Sequence, residues 1–196
     1  MHKEIENNAL ENLSKSDLNG LVPDNAELSL LNSWNYILMF LFEAKTSFSI
    51  MRKLFEKDSF ENIEEAVLAN GMYRNFILSY SKCYSSSGKG RISLDANDIY
   101  KAKPELKDIH NQILEIRNKY AAHNDESSFD IAINVTSQDD KKIELANTYT
   151  TSTPTKDFEY YLKTLEYCEL QVIAKLNKKL DKIEKRIGKR IELKQN

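Results

Sequence analysis

The side chains best suited to chemistry in this sequence are few, and they concentrate in one segment. Histidine exchanges protons near neutral pH, and the chain has three: His2, His110 and His123. His2 lies in a polar N-terminal stretch and is read as inert. His110 and His123 bracket Arg117, which is followed directly by Asn118 and Lys119. Metal chemistry finds little support. There is no HExxH, no paired cysteine and no histidine and carboxylate set at ligand spacing. The many carboxylates are strewn along the chain, which argues against a two-metal nuclease. GxSxG, Walker and GxGxxG patterns are also missing. The segment Ser85 to Arg91, SSSGKGR, has the look of a phosphate-cradling loop but lacks the lysine–serine/threonine ending of a P-loop, so it reads as a connector.

The elements that must carry these residues follow from periodicity. Pro104 suits the first position of a helix, with Glu105 beside it favoured by the helix dipole. Leu106, Ile109, Ile113, Ile116 and Tyr120 then alternate steps of three and four, so this helix runs over 104–122 toward His123 and frays into Asn124 and Asp125. Upstream, Leu31, Trp34, Leu38, Leu41, Phe48, Met51 and Phe55 predict a long amphipathic helix over 30–58. A second helix over 60–84 is expected from Ile63, Ala66, Asn70, Tyr73, Ile77, Tyr80 and Tyr84, capped by Asp58 or Ser59, with Gly71 a possible kink. A short helical turn is expected near Asp95 to Tyr100. Alternation of Phe129, Ile131, Ile133 and Val135, the turn SQDD and the run KKIELANTYT predict a β-hairpin over 129–149. Near-heptad spacing of Phe158, Leu162, Leu165, Val172, Leu176, Leu180, Ile183 and Ile187 predicts a final helix from about Lys156 to Ile187. Its first half is expected on the bundle, its second half projecting or pairing with another chain.

The segment Arg117 to His123, RNKYAAH, resembles the R-x(4–6)-H motif of the HEPN superfamily, with five residues intervening and a polar residue directly after the arginine. The likeness is specific over 104–125 and architectural over about 30–190. It implies a mainly α fold, an antiparallel HEPN-like helical bundle with a small β-hairpin inserted before the long C-terminal helix. It also implies metal-independent cleavage of RNA without a cofactor. A neutral histidine, His123, would accept the proton of a ribose 2′-hydroxyl as that oxygen attacks the adjacent phosphate. Arg117, always charged and able to hold two phosphate oxygens, would stabilise the transition state. Asn118 would orient a phosphate or the histidine, Lys119 would contact the RNA backbone, and His110 would be a supporting group or plain structure. The setting implied is a cytoplasmic toxin or anti-phage effector, with an antitoxin or other regulatory partner. Toxins of the branch paired with a nucleotidyltransferase carry a tyrosine two residues after the histidine. Asp125 stands there in this chain, which puts that modification in doubt.

Geometry sets a condition on the pair. Six residues of helix turn through about 600°, leaving Arg117 and His123 about 120° apart around the axis. Arg117 instead shares a face with His110 and Leu114. Either the helix ends before His123 and the histidine swings back, or a second chain completes the site; a two-fold homodimer is the arrangement typical of HEPN-like proteins. The rival reading is structural. Arg117 would pair with Glu115 or Asp125, and His123 would sit at a helix C-terminus, in a non-catalytic interaction or RNA-binding module of the same fold.

Composition agrees with a helical globular protein. The 196 residues include only 5 Gly and 3 Pro, with 41% apolar and 30% charged residues. Cys83 and Cys168 are far apart in sequence and read as thiols in a reducing compartment. The most apolar run, Tyr36 to Phe42, falls far short of the roughly 20 residues that span a bilayer, so no membrane is expected. Net charge is −2, so nothing suggests coating of nucleic acid by bulk electrostatics. The charge is uneven, however: residues 1–30 hold two basic and six acidic side chains, and residues 175–196 nine basic and three acidic. The expected organisation is an N-terminal arm over 1–24, a helical domain over 25–190 and a basic tail over 191–196.

Overall fold

The computed structural model describes residues 24–57, 60–85, 91–122, 129–138, 142–151 and 155–192. Helix α1 is Asn25–Phe55, α2 Ile63–Lys82, α3 the single turn Ala96–Ile99, and α4 Pro104–Ala122. Strands β1, Phe129–Gln138, and β2, Ile143–Thr151, follow, then a 3₁₀ turn at Thr155–Asp157 and α5, Phe158–Ile187. The chain is therefore mainly helical with one small antiparallel sheet. Residues 1–23 of the arm expected over 1–24 lie outside the described residues, as does the end of the tail, 193–196.

Local chemistry accounts for the helix boundaries. Asp24 caps α1: its carboxylate accepts from the Glu27 backbone N–H at 2.7 Å while Glu27 accepts from the Asp24 N–H at 3.1 Å. This reciprocal pair satisfies two donors that the first turn leaves open. Helix α2 starts at Ile63, the first residue of its apolar stripe, three positions later than the expected start at 60. Its cap is Asn62, whose side chain accepts from the Glu65 N–H at 2.9 Å, whereas the expected caps Asp58 and Ser59 fall outside the described residues. Gly71 does not break it, since α2 runs unbroken from Ile63 to Lys82. Asp95 caps α3, Pro104 opens α4 as its fixed φ suggests, and Gly188 ends α5 in the left-handed region at φ 67°.

Helices α1, α2, α4 and α5 share one core. Contacts of Glu43 with Ser79 and Ser47 with Asn75 set α2 antiparallel to α1. Ion pairs of Arg52 with Glu159, Lys45 with Glu169 and Arg186 with Glu27 set α5 antiparallel to α1 along its full length. The second half of α5 thus does not project: Leu176, Ile183 and Ile187 are buried. Aromatic rings fill the centre, with Phe48 edge-on to Phe76 at 5.2 Å and to Phe158 at 5.6 Å. Burying such side chains contributes about 1.5–3 kcal/mol each. Helix α4 packs on α2 and α5 chiefly through Ile113 and His110, both buried.

The hairpin matches expectation closely. Its strands pair from Phe129 opposite Thr151 to Gln138 opposite Ile143, with the register slipping between Val135 and Ser137. No helix among the described residues is long and apolar enough to cross a membrane.

Candidate functional site

Arg117 sits two turns after His110 on α4, on the same face of the helix. At His110 that face is in the core; at Arg117 it has emerged, and the side chain is half-buried. Its Nη1–H donates to the Asn118 Oδ1 at 3.0 Å, which fixes the guanidinium beside an exposed amide. Lys119 is exposed and pairs with Glu115 one turn back at 2.9 Å. Glu115 is therefore engaged by the lysine, and among the described residues Arg117 has no carboxylate partner. The last turns of α4 present a positive surface anchored on one half-buried guanidinium. The planar guanidinium suits an anion that offers two oxygens side by side, as a phosphate or carboxylate does. His123 lies outside the described residues, so its relation to Arg117 rests on the sequence alone.

His110 has a different environment. It is 2% exposed, and its Nδ1 lies 2.9 Å from the Tyr80 hydroxyl. The ring is packed against Tyr84, with centroids 4.2 Å apart, and against Tyr100 at 5.5 Å. Tyr80 and Tyr84 reach the Tyr100 hydroxyl at 2.7 and 3.2 Å, Tyr100 donates to the Thr164 carbonyl at 3.2 Å, and Tyr84 meets the Cys168 Sγ at 3.1 Å. Burial, helped by the nearby Lys107 charge, pulls the His110 pKa down to about 4, so the ring is neutral at pH 7. Burial likewise pushes the Tyr80 and Tyr84 hydroxyls well above their usual range. His110 thus belongs to a closed polar network inside the bundle and offers no proton to a solvent-facing substrate. Its service to a site on α4 is to fix that helix against α2 and α5.

The sequence reading gave His110 a face but not its partners. Tyr80 near the end of α2 and Tyr84 in the turn after it carried a signal for them, because a tyrosine drawn into a core needs a hydroxyl partner. Tyr100 and Cys168, from distant segments, carried none. Among the described residues no group of three or more histidine, cysteine or carboxylate side chains is arranged to hold a metal ion. No protein-family model, curated protein or solved structure matches the chain.

Proposed function

We propose that the chain is a metal-independent endoribonuclease of HEPN type, acting as a homodimer, with Arg117 and His123 as its reacting pair. The observation that carries this reading is the uncommitted guanidinium. Arg117 is half-buried, steadied by Asn118, free of a carboxylate among the described residues, and six positions before His123. In the proposed reaction His123 takes the 2′-hydroxyl proton, that oxygen forms a bond to phosphorus, and the P–O5′ bond breaks, its oxygen taking a proton from water while His123 returns its own to solvent. The products are a 2′,3′-cyclic phosphate and a 5′-hydroxyl end, and Arg117 holds the equatorial oxygens as charge builds. Lys119 is a backbone contact; His110 acts only by locating α4. A cytoplasmic toxin or anti-phage role, held in check by an antitoxin, is the setting that the motif implies.

The test compares wild type, His123→Ala and Arg117→Lys on one RNA, with melting temperatures alongside. The histidine variant should lose about 10²–10⁴ in rate. The lysine variant should lose a comparable factor, since an ammonium does not reproduce the two-pronged contact. Cutting should persist in EDTA, and 2′-deoxyribose at the cut position should block it. Equal cutting by all three proteins, or a requirement for a divalent ion, defeats the reading.

A second reading, a non-catalytic interaction module, has its own support. Met39 and Phe42 on α1, with Leu170 and Ile173 on α5, are 55%, 65%, 63% and 40% exposed. Exposed apolar groups on neighbouring helices suit a protein contact.

A further inference from the structure

Away from α4, two adjoining clefts carry a different kind of surface. The larger, about 440 Å³, lies between the first turns of α1, the segment before and within α3, and the second half of α5. Its walls are apolar, with Leu30, Trp34, Ile92, Leu94 and Ile99. Its α5 rim is basic: Lys175, Lys178, Lys179 and Lys182 lie on one face at helical spacing. The smaller, about 280 Å³, shares Ile92 with the first and is lined by Tyr36, Phe40, Lys82 and Arg91.

The charges are unbalanced. Asp95 and Asp98 are the carboxylates at the larger cleft, and Asp98 is engaged by Lys175. Lys178, Lys179, Lys182, Lys82 and Arg91 have no ion pair among the described residues. Cations and rings alternate instead. Lys179 lies 5.9 Å from the centroid of Trp34, Arg91 4.9 Å from that of Tyr36, and Lys82 5.1 Å from that of Phe40. One further observation points to an occupant. Trp34 is 6% exposed, and its buried Nε1–H has no acceptor among the described residues. Buried donors are nearly always satisfied, and the residue that carries this one lines the cleft.

We propose that the paired clefts form a binding track for single-stranded nucleic acid, with bases against Trp34 and Tyr36 and phosphates along the α5 lysines. Interleaved aromatic faces and cations are what a strand requires, because every base has a π-face and every linkage a charge. Two clefts meeting at Ile92 fit successive nucleotides better than one compact ligand. A base carbonyl or phosphate oxygen would satisfy the Trp34 N–H. The lysines now lying on rings would turn outward to the backbone. The track does not depend on Arg117 or His123, and none of its lining residues belongs to α4.

Trp34 is the chain's single tryptophan, so its emission reports on this cleft directly. An oligouridylate RNA of about twelve nucleotides, within the usual site size, should quench it saturably at low salt. The logarithm of affinity should fall linearly with that of salt concentration. Lys178→Gln with Lys182→Gln should weaken binding about tenfold and flatten the salt slope by about 1.4, since each phosphate contact on a single strand contributes about 0.7. Lys53→Gln with Lys163→Gln, outside the clefts, should leave both unchanged. Oligothymidylate bound as well as RNA also supports the track, because base stacking and phosphate contacts do not involve the 2′-hydroxyl. No quenching at low salt, equal losses in both double variants, or uridine monophosphate binding as tightly as the strand would overturn it. Because the readout is binding, it succeeds or fails whether or not the chain cuts RNA.

Discussion

The Nδ1 of His110 and the hydroxyl of Tyr80 lie 2.9 Å apart in the core, and the rest of the network dictates the direction of that bond. Tyr100 spends its only proton on the Thr164 carbonyl. Its oxygen can then accept from both Tyr80 and Tyr84, at 2.7 and 3.2 Å. Tyr80 therefore accepts from His110, whose proton sits on Nδ1, and Cys168 donates to Tyr84 at 3.1 Å. Every member is satisfied by this arrangement, which is the condition for a buried polar network to favour folding.

Acid should loosen the bundle through this histidine. The His110 pKa falls from an ordinary 6.5 to about 4 on folding. Between those values the unfolded chain binds the proton that the folded chain refuses. Stability therefore rises with pH across that window and is lost as pH drops through it, by up to about 1.4 kcal/mol per pH unit. Urea melts from pH 7 to 4.5 should show this slope for wild type and a shallower one for His110→Asn, which keeps a donor without a titrating group. Parallel slopes would assign the acid sensitivity elsewhere.

Tyr80→Phe should cost about 1–3 kcal/mol, because it leaves the His110 N–H buried without an acceptor. Tyr36→Phe, on an exposed ring, should change stability by less than about 0.5 kcal/mol. Chemical denaturation of the two variants makes the comparison.

Two glycines should respond in opposite directions. Gly71 lies inside α2 with open space around the position of an added Cβ, so Gly71→Ala should stabilise by about 0.5–1 kcal/mol. Gly188 ends α5 at φ 67°, and Gly188→Ala should destabilise by about 1–2 kcal/mol, the left-handed cost of a side chain. Thermal melts decide both signs.

Neither cysteine should react in the folded protein. Both are buried, and burial raises the Cys83 thiol well above its usual range and the Cys168 thiol to about 11. Maleimide labelling at pH 7.5 should follow global unfolding, with the two sites modified together. Rapid labelling of either in native buffer would contradict the packing around Tyr84.

The proposed ribonuclease should be dimeric, with the C-terminal end of α4 at or beside a two-fold interface of roughly 1,000 Å² or more. Light scattering at micromolar concentration tests this, and a strict monomer would count heavily against the composite site.

What was legible in the sequence divides by range. Capping and periodicity are local, so the Pro104 helix, the hairpin and the final helix were visible within a residue or two. The start of α2 was missed because Asp58, Ser59 and Asn62 are all competent caps, and only packing chooses among them. The second half of α5 looked unpartnered because Arg186 meets Glu27, 159 positions away, a distance over which periodicity says nothing. At the candidate site, the sequence showed which cation and which base are close along the chain. It did not show that Lys119 takes Glu115 while, among the described residues, Arg117 donates to Asn118.

The antiparallel pairing of α1 with α5 has a mechanical consequence. Because Arg186 meets Glu27, Asp24 and Glu192 lie at the same end of the bundle. A force applied across those two points would peel the helices apart one contact row at a time, loading the Arg186–Glu27 pair first, then Trp34 with Lys179, then Lys45 with Glu169. Sequential peeling loads few interactions at once, whereas sliding the helices past each other would load all of them together. The molecule should therefore yield softly when pulled by its ends and stiffly when pulled between Asp24 and Thr155, where the same contacts are placed in shear.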